Sequence, residues 1–343
     1  MGRTKRRAII TLILIAVLYL VYSNQDSIKS AAESITGNAI NNFDSANIPK
    51  ELSTDPIILF CPRDDCGENL VYLINNSNTV HCAFFDLDIP EVIEALQRKN
   101  ASVVVDADNI NSSKGKITNL KKDNRKAYMH NKFCIFDNKI IMTGSFNPTF
   151  NDNKRNNNNV VIISSEYLAK NYEDEFQELW NGQFGKGSKV ANPIIMLNTT
   201  DRNIMIENYF CPEDWCANRV VDAINKANKS VYFMTFSFTH DKIGDALIEK
   251  HKQGIEVKGI FEKSQISQYS ELERLKNAGI NATTDTNPYM LHHKVFIIDD
   301  SIVVTGSFNP SKNGDLDNDE NILIIHNPKI AHAYTAEFRL LSP

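Results

Sequence analysis

The stretch HNKFCIFDNKIIMTGSFNP at residues 130–148 returns as HHKVFIIDDSIVVTGSFNP at residues 292–310. Each shared element of the second copy lies 162 positions after its counterpart: His130 and His292, Lys132 and Lys294, Asp137 and Asp299, Ser145 and Ser307, Asn147 and Asn309. From His130 the residues alternate as in a strand, so His130 and Lys132 share one face. Asp137-Asn138 makes a turn, and residues 140–143 return as a second strand. Gly144-Ser145 then lets the backbone approach a ligand closely. Asp299-Asp300 and residues 302–305 do the same in the second copy, and His293, on the opposite strand face, reads as a packed or hydrogen-bonded histidine. An imidazole, an ammonium, a hydroxyl and an amide thus arrive together twice. That set suits the oxygens of a phosphodiester, with Lys and Asn stabilising charge that develops in transfer. A lone H-x-K is ordinary surface chemistry; the length of the phrase and its recurrence in register make it specific.

The repetition extends outward. Leu59-Phe60-Cys61-Pro62 is echoed by Tyr209-Phe210-Cys211-Pro212, and Ala95-Leu96 by Ala246-Leu247. The offset is about 150 early and 162 late, which places an insertion in the second copy near the helical segment 267–278. Short apolar strands at 57–60, 80–85 and 101–105 alternate with helices at 67–75 and from Pro90, where proline suits a first helical turn. Each copy closes with a helix, over 167–180 and 328–340. Alternating strands and helices, repeated, predict an α/β fold of two tandem units, 56–190 and 195–343, packed as a pseudo-twofold dimer.

With 343 residues and 42% hydrophobic content, the chain can bury two ordinary cores. Its net charge of −5 gives no global attraction to polyanions, so any must meet a local basic patch. Lys114, Lys116, Lys121, Lys122, Arg125 and Lys126 form such a patch before the first phrase. The N-terminus differs from the rest. Arg3, Lys5, Arg6 and Arg7 precede an apolar run from 8 to 22, read as a transmembrane helix over 1–23, with a cleaved signal as the alternative. A polar stalk follows over 24–55. This reading places the protein in a membrane, single-pass with an extracytoplasmic catalytic region, or secreted if the segment is cleaved. In that setting Cys61 with Cys66, and Cys211 with Cys216, read as disulfides, with free thiols and metal ligation as alternatives. Cys82 and Cys134 lie in apolar runs and read as buried thiols.

Over residues 57–341 the chain resembles the phospholipase D superfamily, whose signature is H-x-K-x4-D followed by G-S-x-N. The second unit is especially similar to Nuc-type endonucleases and mitochondrial cardiolipin hydrolases, through Phe210-Cys211-Pro212-Glu213, Phe236-Ser237-Phe238-Thr239 and Asn318-Asp319-Glu320-Asn321. The resemblance implies hydrolysis through a phosphohistidine, with no metal or other cofactor and no obligate protein partner. It assigns catalysis to His130, Lys132, His292 and Lys294, and phosphate binding to Ser145, Asn147, Ser307 and Asn309. Asp137 and Asp299 support the turns. The family's carboxylate behind the histidine is matched by Glu320, while the equivalent in the first copy is Asn158. Glu320 is accordingly expected to make His292 the better general acid and His130 the neutral nucleophile. A nucleic-acid substrate, cut by a non-specific endonuclease, is the first expectation. A membrane phospholipid hydrolase is the second, and a non-catalytic membrane-tethered binding protein the third.

Overall fold

The computed structural model describes residues 48–342. Among these no helix is long and apolar enough to cross a membrane. The expected transmembrane helix over 1–23 falls outside the described residues, as does the stalk up to residue 47. The expectation of a membrane-preceded fold, and the single-pass localisation built on it, is corrected to two tandem α/β units with no spanning helix among the described residues. Length is the physical weakness of the earlier reading. Fifteen apolar residues in a helix cover roughly 22 Å, against a hydrocarbon core of roughly 30 Å.

The chain lays down β1 (Lys50–Leu52), β2 (Ile57–Cys61), α1 (Cys66–Asn75), β3 (Val80–Phe84), α2 (Pro90–Arg98), β4 (Ser102–Val105), β5 (Asn119–Lys122), β6 (Lys132–Phe136), β7 (Ile140–Gly144), α3 (Phe150–Lys154), β8 (Asn158–Ser164) and α4 (Glu166–Trp180). It continues with β9 (Ile194–Asn198), β10 (Asn203–Cys211), α5 (Cys216–Asn225), β11 (Ser230–Thr235), α6 (Asp241–Lys252), β12 (Glu256–Phe261), α7 (Glu271–Asn277), β13 (Asn281–Thr284), β14 (Lys294–Ile298), β15 (Ile302–Gly306), α8 (Lys312–Leu316), β16 (Glu320–His326) and α9 (Pro328–Leu341).

Two mixed sheets result. One has seven strands in the order β2-β8-β7-β6-β3-β4-β5, the other nine in the order β1-β9-β10-β16-β15-β14-β11-β12-β13. Position for position, the last seven strands of the larger sheet copy the smaller one. In each, three strands run parallel, β3-β4-β5 and β11-β12-β13, and the rest pair antiparallel except for the parallel edge pair β1-β9 of the larger sheet. Lys50–Leu52, within the segment read as stalk, is an edge strand on the second unit's sheet through β9. The helix α7 lies where the sequence offset placed the insertion.

Both faces of the central strands are covered, which is why residues 160–163 and 322–325 are apolar at successive positions. One apolar cluster draws on both units and includes Tyr172 of α4 and Tyr334 of α9. The Tyr172 ring packs edge-on against Phe133 and Phe210, each at 5.0 Å. Its hydroxyl donates to Asn321 of the other unit at 3.1 Å, while the Tyr334 hydroxyl accepts from Asn159 at 2.9 Å. A second cluster belongs to each unit alone.

Cys61–Cys66 and Cys211–Cys216 are disulfides, and so is Cys82–Cys134. The reading of the last two as free buried thiols is corrected. Cys82 on β3 and Cys134 on β6 are direct partners across antiparallel strands, which brings their side chains together on one face. Apolar runs alone do not reveal that register.

Asp137 and Asp299 sit in the left-handed region, at φ 51° and 54°, at the hairpin turns. Asp137 accepts from the backbone N–H of Asn78 and Thr79 at 2.7 and 2.8 Å. Asp299 accepts from those of Asn228, Lys229 and Ser230, each at 2.8 Å. Both carboxylates tie the residues at the start of β3 or β11 to the turn after the motif strand. Asp299→Ala should lower unfolding free energy by about 1–2 kcal/mol, measured by urea denaturation; an unchanged midpoint would contradict this role.

Candidate active site

Each motif strand is entered through a short bridge to the opposite unit. Met129 pairs with Asp319, and Leu291 pairs with Asn157. The His130 N–H donates to the Asp319 carbonyl at 3.0 Å, and the His292 N–H to the Asn157 carbonyl at 2.9 Å. These are one contact made twice, related by the 162-residue repeat. They place the start of each motif strand beside the residue that opens β8 or β16 of the other unit.

The imidazoles are therefore held crosswise. His130 Nδ1 donates to Glu320 Oε2 at 2.8 Å, and His292 Nδ1 donates to Asn158 Oδ1 at 2.8 Å. The expectation that Glu320 backs His292 is corrected: it backs His130. A repeat offset identifies equivalent residues, but in a twofold pair an equivalent residue can serve the other copy. With Nδ1–H donated, each ring keeps Nε2 for the reacting atom.

The motif serines bond to the residues behind the histidines. Ser145 Oγ donates to Asn158 Oδ1 at 2.9 Å, and Ser307 Oγ donates to Glu320 Oε2 at 2.7 Å. Each serine hydroxyl thus holds the residue behind a histidine. Gly144 and Gly306, at φ 146° and 147°, bring the backbone so close to the neighbouring strand that a Cβ would sit 2.2 Å from the carbonyl of Asn159 or Asn321. Asn147 donates from its backbone N–H and its amide to Asp152 Oδ2, at 2.9 and 2.8 Å. The amide oxygens of Asn147 and Asn309 are buried without a hydrogen-bond partner among the described residues. Lys132 Nζ donates to the His130 carbonyl at 2.7 Å, and Lys294 Nζ to the His292 carbonyl at 2.8 Å. His293 is buried on the other face, its Nδ1 3.1 Å from Asn159 Oδ1.

All four cationic side chains are buried, and their fields overlap. Burial and then Lys132, Lys294 and His292 hold His130 well below the usual imidazole range. Burial, then Lys294, lowers His292 to about 4. Burial brings Lys132 down to about 8, while burial and Lys132 hold Lys294 well below the ordinary lysine range. Burial pushes Glu320 up to about 8, against the pull of Lys132, the Ser307 hydroxyl and Lys294. Crowded cations that lose protons in the empty site regain them when an anion neutralises the field. The chemistry of the arrangement, two imidazoles and two buried ammonium groups, suits an anion such as a phosphodiester. Among the described residues no group of three or more His, Cys, Asp or Glu is placed to hold a metal ion.

Several contributors were not singled out from sequence. Phe85 lies edge-on to His130 at 4.9 Å, and Phe236 lies edge-on to His292 at 4.8 Å. The Lys132 and Lys294 ammonium groups sit 5.0 Å from the centroids of those same rings. Asp152 approaches His292 Nδ1 at 3.4 Å. Phe85 and Phe236 are repeat equivalents that the offset finds when it is applied to the whole unit, whereas Asp152, whose counterpart is Gly314, carries no such signal. Of the basic patch, Lys121 donates to the Trp180 carbonyl and Arg125 pairs with Asp319, so neither is free.

The family described as "Cardiolipin synthase, PLD-like domain" matches the chain at residues 72–180 and again at 220–341, once in each unit. A phospholipase D of Rickettsia prowazekii (strain Madrid E) is 35% identical over 130 residues, 38% of this chain and 63% of that protein. A mitochondrial cardiolipin hydrolase of Chlamydomonas reinhardtii is 30% identical over 122 residues, 35% of this chain and 55% of that protein. The chain thus spans 63% and 55% of the lengths of these two curated relatives. Across both units the fold is similar to the crystal structure of a phosphatidylserine synthase from Haemophilus influenzae Rd KW20, with a TM-score of 0.62 at 11% identity, covering 85% of this chain and 88% of that one. Two family matches, one in each half of a duplicated sheet and each embracing one His-Lys pair, make this chain a member of the phospholipase D-like superfamily.

Proposed function

We propose that the protein is a phosphodiesterase of the phospholipase D type and that its substrate is a phospholipid. The observation that carries the lipid reading is the apolar frame of the two histidines. Phe85 and Phe236 are half-buried against them, Tyr128 is exposed two positions before His130, and Tyr289 and Met290 are exposed three and two positions before His292. A mouth of this composition can seat the glycerol and upper acyl segments of a lipid while the lysines meet its phosphate. The phospholipase D and cardiolipin hydrolase relatives point the same way. The nuclease reading rests on the exposed Lys114, Lys116, Lys122 and Lys126, a rail shortened by the engagement of Lys121 and Arg125.

In this reading His130 Nε2 attacks phosphorus and the bond to the alcohol oxygen breaks. His292 Nε2, protonated once the anion is bound, gives that oxygen its proton. Water then enters, His292 takes one of its protons, and the resulting hydroxide displaces His130, leaving a phosphomonoester. Glu320 suits His130 to attack because a carboxylate at Nδ1–H stabilises the positive ring of the phosphohistidine. This reason differs from the one drawn from sequence, which had placed Glu320 behind the other histidine. Lys132, Lys294 and the asparagines at 147 and 309 stabilise the equatorial oxygens.

Two results are expected. Offered phosphatidylglycerol or cardiolipin in mixed micelles beside single-stranded DNA and RNA, the protein releases phosphatidate and leaves the polymers intact; nucleic-acid cleavage without lipid turnover would reject the lipid reading. Lys132, with its pKa lowered to about 8, loses its charge as pH rises through that value. KM should therefore increase about tenfold per pH unit above roughly 8, measured from initial rates between pH 6 and 10, and a KM flat across that range would contradict the assignment.

A further inference from the structure

Glu320 stands behind His130, but the equivalent position behind His292 holds the uncharged Asn158. The same comparison reverses six residues earlier. Position 152 is Asp, and its counterpart 162 residues on is Gly314. At these two positions each copy thus has one carboxylate, in exchanged places. Asp152 Oδ2 is 3.4 Å from His292 Nδ1 and accepts twice from Asn147, while Oδ1 accepts from the Asn156 amide at 2.7 Å. Asp152 is 3% exposed, and those hydrogen bonds with the adjacent His292 hold its carboxyl well below the usual range even though burial opposes them. In the second copy a Cβ at Gly314 would lie 2.5 Å from the Asn309 carbonyl oxygen and 3.2 Å from the Phe308 ring. That packing admits no side chain, so the second copy keeps its carboxylate at 320.

We propose that Asp152 is a positioning residue that supplies His292 with the carboxylate position 158 lacks, keeping His292 able to act as general acid. The inference rests on the phosphodiesterase reading above but not on the substrate being a lipid. The charged groups facing His292 are Lys294, Lys132 and Asp152, with His130 across the site. The two lysines lower its proton affinity and Asp152 raises it. Loss of the Asp152 charge therefore moves the alkaline limb of kcat, where the acid is lost, to lower pH. Asn158→Glu should replace that charge, because Ser145 is placed to bond residue 158 as Ser307 bonds Glu320.

The test compares bis(p-nitrophenyl) phosphate, whose leaving group scarcely needs a proton, with two alkyl diesters, phosphatidylglycerol in mixed micelles and dithymidine phosphate. Asp152→Asn should lower kcat on the alkyl diester that wild type hydrolyses by about tenfold or more, with KM little changed, and the aryl diester by much less. Its alkaline limb should move down by about one pH unit, and Asp152→Asn/Asn158→Glu should restore both rate and limb. Equal losses on alkyl and aryl diesters, an unmoved limb, or no restoration by Asn158→Glu would overturn the proposal. If Asp152→Asn does not fold, Asn158→Glu alone should raise the limb, and an unchanged limb would overturn it. Wild-type inactivity on all three diesters would instead reject the phosphodiesterase reading on which the proposal rests.

Discussion

Each motif imidazole in this protein is held by the other half of the chain. His130 leans on Glu320 and His292 on Asn158, and each enters its strand through a backbone bond to the opposite unit. One unit alone would present a histidine with an unpaired Nδ1 and no fixed tautomer. The interlock of Tyr172 with Asn321 and of Tyr334 with Asn159 serves the same end, fixing the two sheets so that the crosswise bonds keep their length. Preorganisation of this kind matters because two buried imidazoles and two buried ammonium groups repel one another strongly in low dielectric. An anion placed among them would relieve that repulsion, which suits the site to the phosphodiester chemistry proposed above.

Fusion of two units in one chain releases them from identity. The halves have diverged where a symmetric pair could not: Glu320 against Asn158, Asp152 against Gly314, a basic loop before His130 and a neutral one before His292. Even the layer beneath the site follows this pattern. Asn131 donates to the buried Glu175, whereas its counterpart His293 lies against Glu337. Burial and neighbouring carboxylates keep Glu175 well above the usual carboxylate range, while His293 and Arg63 lower Glu337 against the effect of burial. One fold thus offers its two histidines different electrostatic surroundings, which a two-step reaction with one attacking and one proton-carrying histidine can use.

Much of this was legible in the sequence. The duplicated phrase and the outer echoes defined two α/β units, located the insertion now seen as α7, and placed helix starts at Pro90 and Pro328. His130, Lys132, His292 and Lys294 were named from the repeated phrase together with the resemblance to the phospholipase D superfamily. Pairings across space were not legible. Glu320 and Asn158 were matched to the wrong histidines because a repeat offset carries no information about which copy a residue faces. Cys82 and Cys134 lie 52 residues apart and become neighbours only through the register of β3 on β6. The bonds from Ser145 to Asn158 and from Ser307 to Glu320 are likewise absent from the motif, which shows a hydroxyl but not its partner.

The crosswise pairing is tested most directly by nitrogen-15 NMR of histidine-labelled protein, with the Nδ1–H resonances assigned through His130→Asn and His292→Asn variants. Introducing Glu320→Gln should shift the Nδ1–H of His130 and leave that of His292 nearly unmoved. A shift confined to His292 would contradict the account and return each carboxylate to the histidine of its own copy.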